Sequence, residues 1–157
     1  MFGVLAESQI DQLLRKQVLG RLGCHADGLT YVVPISYAWH DGYLYMYTQE
    51  GLKISMLRSN KKVCFQVDNT RDLSNWQSVI CWGEVEELTA DEDRVAALQI
   101  LNTRNFPVAI TQKMRINSEW PFNPAKIAEI KGIFLRIRVE EKSGRYERTE
   151  EAPHMAG

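Results

Sequence analysis

Residues 31–53 read YVVPISYAWHDGYLYMYTQEGLK and carry the most informative pattern of the chain. Side chains alternate with a period of two on both sides of Asp41-Gly42, which predicts two β-strands joined by a tight turn. The second strand leads into Thr48, Gly51 and Lys53 at the start of a predicted helix. A hydroxyl, unpaired helix N–H groups and an ammonium at one place favour a phosphate group. The pattern therefore predicts a β-hairpin whose exit binds a phosphorylated ligand.

The composition is typical of one globular domain. The chain has 157 residues, of which 45% are apolar and 25% charged, and its formal net charge is -1. This apolar fraction is enough for a core without disulfides or a structural metal. The balanced charge favours neither nucleic acid nor an anionic membrane as a partner. We expect a single domain over residues 1–147, followed by a disordered tail over residues 148–157.

The cysteines and the first residues indicate a reducing compartment. Cys24, Cys64 and Cys81 are widely spaced and odd in number, which is typical of free thiols. The histidines lack the spacing of metal ligands, so no metal site is expected. The N-terminal sequence lacks the basic region and apolar run of a signal peptide, and no apolar run approaches membrane-spanning length. We therefore expect a cytoplasmic protein with no membrane partner.

Periodicity divides the chain into about six strands and two or three short helices. Ser8 and Thr89 each precede an acidic residue by three positions, a spacing that predicts a helix start. Pro34 cannot donate to a ladder, so it should lie at an edge, a bulge or a strand end, and Gly83 predicts a bulge or a bend. Asn60 is expected to end a helix in the left-handed conformation. The predicted helices cover residues 8–16, 51–60 and a segment from residue 89; the predicted strands cover residues 18–25, 31–39, 43–47, 63–67, 76–88 and 133–140.

The spacing of these strands is typical of a closed or split barrel. Such a closed sheet also removes the apolar edges that the strands would otherwise expose. Residues 105–130 show no clear period, and the two prolines within residues 120–124 predict irregular structure there. We find no internal repeat and no linker that would divide the chain into domains.

Four segments, taken together, resemble the flavin-binding split-barrel superfamily, which includes the pyridoxamine 5′-phosphate oxidases and the nitroimidazole-resistance proteins. Their order and spacing carry the resemblance more than any single motif does. The resemblance implies a mainly β fold, a six-stranded antiparallel split β-barrel with a few short helices. The segments are LGRLG at residues 19–23, YVVPISY at residues 31–37, YLYMYTQEGLKISML at residues 43–57, and WQSV at residues 76–79 followed by GEVE at residues 83–86.

The resemblance also implies an FMN cofactor, bound at the interface of a homodimer. Residues 31–37 would lie along the flavin ring, where backbone N–H donors stabilise the charge that develops on reduction. Lys53 would bind the phosphate as a point charge at a helix start. The residues that match cofactor-binding positions are Pro34, Ile35, Ser36 and Tyr37 at the ring edge, Tyr47 and Thr48 before the phosphate-binding loop, Lys53 at the phosphate, and Gln77 and Ser78 on a neighbouring strand or subunit.

The chain departs from the family pattern at several positions. Many relatives have a histidine where this chain has Tyr47, and the oxidases have an Arg-Lys pair where it has Leu52-Lys53. Loss of the bidentate guanidinium weakens phosphate binding, and Arg58 on the same helix is a candidate to compensate. The arginine and tryptophan pattern that binds pyridoxamine phosphate is not recognisable near the C-terminus. This difference argues against pyridoxal phosphate synthesis as the activity.

The leading functional hypothesis is an FMN-dependent oxidoreductase. It would take hydride from NADH or NADPH and pass electrons to a small acceptor such as a nitro compound or a quinone. Because the flavin supplies the chemistry, no catalytic side chain can be named from the sequence. Three alternatives stay open: a flavin carrier or sensor without turnover, a deazaflavin-dependent protein that uses the same groove, and a haem protein with His25 or His154 as the axial ligand.

Aromatic residues are more numerous than one small barrel easily buries. Tyr37, Trp39, Trp76 and Trp82 fall in or beside the segments that carry the resemblance. Large exposed aromatic surfaces are typical of protein interfaces. Both the aromatic excess and the resemblance therefore predict a homodimer.

Overall fold

A computed structural model describes residues 1–104 and 123–149 of the chain. Across these residues it contains eight strands, three α-helices and one short 3₁₀ helix. The strands are β1 Phe2–Val4, β2 Leu19–Ala26, β3 Leu29–Ser36, β4 Ala38–His40, β5 Tyr43–Thr48, β6 Lys62–Asp72, β7 Asn75–Leu88 and β8 Ile133–Glu147. The helices are α1 Glu7–Lys16, α2 Leu52–Ser59, α3 Asp91–Asn102 and the 3₁₀ helix Pro124–Glu129.

The eight strands form one antiparallel sheet that closes on itself. Its order is β3-β2-β6-β7-β8-β5-β4, and β1 pairs with β8 outside this path. The strands at the two ends of the path, β3 and β4, are separated in the chain by Tyr37 alone. One bent segment therefore supplies both ends of the sheet, and the sheet closes into a split barrel without a ladder between β3 and β4.

Tyr37 fixes this bend between β3 and β4. Its side chain is fully buried, and its ring meets the ring of Phe65 edge to face with the centroids 5.2 Å apart. Its backbone N–H donates to the carbonyl of Val18 at 2.9 Å, and its hydroxyl donates to the carbonyl of Leu14 at 2.8 Å. Leu14 lies in the last turn of α1, where carbonyls have no partner within the helix. The tyrosine thus joins α1 to the bend.

Two hydrophobic cores lie on opposite faces of the sheet, and β5 contributes to both. Leu44 and Met46 point into the barrel, whereas Tyr45 points the other way, toward α3. The second core lies between α3, the 3₁₀ helix and the outer face of β8, where Phe134 is fully buried. The alternating sequence of β5 therefore packs both of its faces.

The predicted bulge at Gly83 is confirmed. The register between β7 and β8 shifts between Trp82 and Gly83, so Glu141 faces Trp82 and Val139 faces Gly83. A side-chain carbon at Gly83 would collide with the carbonyl oxygen of Arg138. Only glycine allows β8 to approach β7 this closely.

Three predictions about helix ends are wrong. Helix α1 begins one residue before Ser8: Ala6 is its N-cap, and the Gln9 side chain accepts a hydrogen bond from the Ala6 N–H at 2.8 Å. Helix α3 begins after Ala90, and no side chain caps it, so Thr89 is not its cap. Spacing alone cannot distinguish a capping residue from its neighbour.

The third wrong prediction concerns Asn60, which ends α2 in an extended conformation rather than the left-handed one. Its side chain explains the difference. The amide donates to the carbonyl of His25 at 2.9 Å, and the amide oxygen accepts from the N–H of Lys62 at 3.1 Å. Asn60 therefore ties the end of α2 to the β2–β3 hairpin, a contact between segments that are distant in sequence.

The fold class is confirmed as a mainly β split barrel, but the strand count of six is too low. The additional strands are β1, from residues that show no clear alternation, and β4, which the sequence merges with β3. Strand β6 also reaches Asp72 and β8 reaches Glu147, well beyond their predicted ends. Both strands are longer than predicted because β7 pairs with them along nearly their whole length. Backbone hydrogen bonds to β7 keep their polar ends in the sheet, although the residue types there do not favour a strand.

Some predictions concern residues outside the described ranges. The irregular segment 120–124 is described only from residue 123, where Asn123 accepts a hydrogen bond from the Ala125 N–H at 3.0 Å and begins the 3₁₀ helix. The predicted tail is described only at residues 148 and 149. Among the described residues, every helix is too short or too polar to be a membrane-spanning segment.

Replacing Tyr37 with phenylalanine tests the bend between β3 and β4. We expect Tyr37→Phe to lower the free energy of unfolding by about 1–3 kcal/mol, because the buried carbonyl of Leu14 loses its donor. Urea denaturation measures the change. Tyr43→Phe is the matched control, since Tyr43 is only half-buried, and it should change stability by less than about 0.5 kcal/mol. Equal effects of the two substitutions would contradict the special role of Tyr37.

Candidate functional site

The edge of β3 presents unpaired backbone groups. The Tyr37 N–H points toward β2, where it donates to Val18, and hydrogen bonding alternates along an antiparallel strand. The backbone groups of Val32, Pro34 and Ser36 therefore point away from β2, and no described strand pairs with them. Proline has no N–H, so the donors on this edge are those of Val32 and Ser36. An edge interrupted in this way disfavours a further β-strand and leaves its donors to a ligand.

The side chains of the four ring-edge candidates divide between two faces. Ile35 and Tyr37 point into the barrel core, so their side chains cannot contact a ligand outside it. Pro34 is exposed and Ser36 is partly exposed on the outer face. Val32 shares that face and is 62% exposed, although the sequence analysis did not select it. Val32 is two positions before Pro34 on the same strand, and this spacing, which puts both side chains on one face, could have identified it.

Arg104 places a cation beside this edge. Its Nη1 donates to the Ser36 hydroxyl, and its Nε donates to the carbonyl of Leu101 at 2.8 Å. Burial lowers the pKa of Arg104 to about 10, so the guanidinium is still charged at neutral pH. No local pattern in the sequence marks this residue. It follows α3, and only the fold brings it to Ser36.

Lys53 lies in the first turn of α2, which packs against β2. Burial lowers the pKa of its ammonium below the ordinary value, and the nearby Cys24 opposes this shift. Among the described residues no carboxylate lies within ion-pair distance of Lys53. A partly desolvated cation without a counter-ion favours the binding of an anion. A phosphate at this lysine stays a prediction.

The position of Lys53 relative to the edge of β3 suits a long phosphorylated molecule. Lys53 interacts with Cys24 on β2, and Cys24 is paired with Tyr31 on β3. Three residues of extended strand separate Tyr31 from Pro34, a distance of about 10 Å. No side chain caps α2 at Gly51, so its first N–H groups are left for another acceptor.

Arg58 is not available to compensate for the missing arginine of the oxidases. Its Nη2 donates to Glu87 at 2.8 Å and to Glu50 at 3.0 Å, and its Nε and Nη1 donate to the same two carboxylates. These hydrogen bonds raise the pKa of the guanidinium above its ordinary value. Arg58 instead ties the segment before α2 to β7.

Tyr47 and Thr48 use their hydroxyls within the chain. The Tyr47 hydroxyl donates to the carbonyl of Lys131 and accepts from the Gln49 side chain at 3.2 Å. Its ring packs against Phe134 with the centroids 5.0 Å apart, in the second core. The Thr48 hydroxyl donates weakly to the carbonyl of Gln49 at 3.5 Å. Both side chains therefore stabilise the fold around the start of β8.

Gln77 and Ser78 point to opposite faces of β7. The Ser78 hydroxyl accepts a hydrogen bond from the Gln66 amide at 2.9 Å, and Gln66 is paired with Arg21, which is paired with Pro34. Ser78 therefore shares the outer face with Pro34, with β2 and β6 between them. Gln77 is on the other face. Within one protomer, the structure brings Pro34, Ser36 and Ser78 to a common face and separates Gln77 from them.

A family model described as pyridoxamine 5′-phosphate oxidase matches residues 6–146, which is most of the chain. The chain belongs to the pyridoxamine 5′-phosphate oxidase family. The resemblance of the four sequence segments is thereby confirmed, and the family match extends it into β8.

The chain is similar to a curated protein and to several solved structures. An uncharacterized protein of Rhizobium meliloti is 31% identical over 105 residues, which are 64% of this chain and 70% of that protein. A FAD-binding protein of Mesorhizobium loti is 29% identical and superimposes with a TM-score of 0.71 over 93% of this chain and 98% of its own. A nitroimidazole-resistance-type protein of Bacteroides thetaiotaomicron is 19% identical, with a TM-score of 0.69 over 93% and 87% of the two chains, and shows the shared fold.

The protonation of Lys53 offers a test of the phosphate position. We expect FMN to raise the pKa of the Lys53 ammonium, because a bound phosphate dianion stabilises the charged form that burial disfavours. NMR of isotopically labelled, reductively methylated protein measures this pKa with and without the ligand. Lys61 is an exposed control whose methyl signals should be the same with and without FMN. An unchanged Lys53 pKa in the FMN complex would place the phosphate elsewhere.

Proposed function

We propose that this family member binds a flavin between two copies of the chain and acts as an oxidoreductase. The observation that carries the proposal is the unpaired edge of β3, with N–H donors at Val32 and Ser36 on either side of Pro34. Lys53, a half-buried cation on α2 without a carboxylate partner among the described residues, interacts with Cys24, whose partner on β3 is Tyr31, about 10 Å along that strand from Pro34. These donors and this cation match the two ends of a flavin mononucleotide. A bound flavin supplies hydride and electron transfer chemistry.

Each group of the proposed site has a defined task. The N–H groups of Val32 and Ser36 donate to oxygens of the flavin pyrimidine and orient the ring. Arg104 holds the Ser36 hydroxyl and keeps a positive charge beside this edge, which favours the electron-rich form of the ring. Lys53 and the first N–H groups of α2 bind the phosphate. Pro34 keeps another strand away from the edge.

The cofactor that we propose is FMN, since Lys53 accounts for a single terminal phosphate. The Mesorhizobium loti relative binds FAD, which contains the same flavin and first phosphate. Both cofactors therefore use the groups named above. Heat release from the purified protein followed by chromatography identifies FMN or FAD directly. Release of neither, together with failure to bind added flavin, would contradict the proposal.

The outer face of the sheet supports the proposed homodimer. Leu19, Val32 and Trp82 lie on this face and are 48%, 62% and 40% exposed. An apolar surface of this kind beside polar residues is typical of a protein interface. A second copy that covers this face would also close the site along the edge of β3.

Turnover is the part of the proposal that binding alone does not establish. A flavin carrier or sensor needs the same cradle as an oxidoreductase. Steady oxidation of NADH or NADPH with a nitro compound or a quinone as acceptor distinguishes an enzyme from a carrier.

The three cysteines are free thiols, in keeping with the cytoplasmic location that we propose.

Replacement of Lys53 tests the proposed cradle. We expect Lys53→Ala to weaken flavin binding by about 1–3 kcal/mol, because a charged hydrogen bond to the phosphate is lost. Fluorescence quenching of added FMN measures the affinity. Lys61→Ala removes an exposed lysine just beyond α2 and should leave the affinity unchanged. Riboflavin, which lacks the phosphate, should bind both variants equally; a difference would show that Lys53 acts on something other than the phosphate.

Replacement of Trp82 tests the proposed interface. We expect the native protein to have twice the chain mass by light scattering, and Trp82→Glu to shift it toward the monomer, since a carboxylate at an apolar interface is poorly solvated. Leu73→Glu is the matched control, because Leu73 is 91% exposed at the β6–β7 turn. A native monomer, or a dimer that Trp82→Glu leaves intact, would contradict an interface on this face.

A further inference from the structure

A second concave surface lies where β6 and β8 end and β7 begins, with β2 between these strands and β3 in the sheet order. It is a cleft of about 1290 Å³ between the β6–β7 turn, the end of β8 and the start of β1. Asn69 pairs with Gln77 and Gln77 pairs with Tyr146, so these three residues form one cross-strand row that lines the cleft. The cleft is large enough for a nucleotide.

Hydrogen bonds between distant segments fix the walls of this cleft. The Asn75 amide donates to the Thr149 hydroxyl at 2.9 Å, and the Asn75 oxygen accepts from the Thr149 N–H at 3.1 Å. The Trp76 indole donates to the Glu147 carboxylate at 3.0 Å. These contacts join the β6–β7 turn to the end of β8. The cleft is therefore formed in advance, and a ligand need not order it.

Two arginines give the cleft an excess of positive charge. The Arg148 guanidinium lies 5.2 Å from the centroid of the Tyr146 ring, so a planar donor stands at the end of the cross-strand row. Arg71 lines the opposite wall, and its exposed side chain lies 4.0 Å from the Asp72 carboxylate. Glu147 is the one acidic residue of the described lining, and its carboxylate accepts the indole hydrogen bond. Guanidinium groups in this arrangement suit a phosphate.

Asn69 and Gln77 add hydrogen-bonding capacity of another kind. Neither carboxamide has a hydrogen-bond partner among the described residues. A carboxamide offers a donor and an acceptor side by side, which matches the N6 and N7 edge of adenine. The amides and the guanidiniums therefore match the base and the phosphate of one ligand.

We infer that this cleft binds an adenosine phosphate, with Asn69 and Gln77 at the adenine edge and Arg71 and Arg148 at the phosphate. Two molecules could supply this group: the electron donor NADH or NADPH, or the adenylate end of FAD. The choice between these two molecules rests on the proposed flavin function, whereas binding of the adenosine phosphate itself does not. It also reassigns Gln77, which the sequence places at the flavin, to a different ligand.

Calorimetric titration with AMP tests the cleft without any flavin chemistry. The full chain should bind AMP, and Arg148→Ala and Asn69→Ala should each weaken binding by about tenfold, as expected for loss of a charged or a bidentate contact. Arg145→Ala is the control, since Arg145 lies opposite Ser78 on β8 and is not among the residues that line the cleft. No binding of AMP, or equal binding by Arg148→Ala and Arg145→Ala, would overturn the inference.

Two further titrations identify the source and separate this inference from the flavin proposal. If the adenylate of FAD occupies the cleft, FAD-loaded protein should no longer bind AMP. If the electron donor occupies it, FMN-loaded protein should bind AMP, and NADPH should compete with AMP. A protein that binds flavin but never AMP would overturn the cleft alone, whereas one that binds AMP but no flavin would overturn the flavin proposal alone.

Discussion

The bend at Tyr37 is the constraint on which the rest of this structure depends. One segment supplies β3 at one end of the sheet and β4 at the other, and Tyr37 is the single residue between them. Its buried hydroxyl is bonded to the last turn of α1, and its N–H keeps the alternation of hydrogen bonds along β3. That alternation turns the backbone groups of Val32 and Ser36 outward. The same residue thus closes the barrel and sets the edge on which the proposed function rests.

Positive charge is distributed unevenly over the described chain, and the uneven distribution points to ligands. Arg21, Arg58 and Arg136 are each bonded to carboxylates and stabilise the sheet or its connections. Lys53 has no such partner among the described residues. Partial burial of this cation carries an electrostatic penalty that an anionic ligand would offset. This difference in partners distinguishes Lys53 from the structural arginines.

The family explains the fold of this chain but not its chemistry. The pyridoxamine 5′-phosphate oxidase model covers residues 6–146, and the structural relatives include a FAD-binding protein. Within this shared barrel, the chain has Leu52-Lys53 where the resemblance implies an Arg-Lys pair, and Arg58 is bonded to Glu50 and Glu87. Function in such a fold is decided by these local groups rather than by the barrel itself.

The sequence by itself determined the β class and the Asp41-Gly42 turn, and it limited Pro34 to an edge, a bulge or a strand end and Gly83 to a bulge or a bend. Each of these depends on the chemistry of one or two residues and on a local period. Lys53 could be selected for the same reason, because its helix start is a local feature. The end of α2 at Asn60 could not be predicted, because its side chain bonds to the β2–β3 hairpin.

Only the tertiary structure decided which predicted residues share a face. Ile35 and Tyr37 face the core, Ser78 shares a face with Pro34 across β2 and β6, and Arg104 reaches Ser36 from the segment after α3. The cleft beside Tyr146 likewise combines strands that are far apart in the chain. The physical reason is that strand period gives only relative orientation, whereas pairing and closure of the barrel decide which face becomes the core.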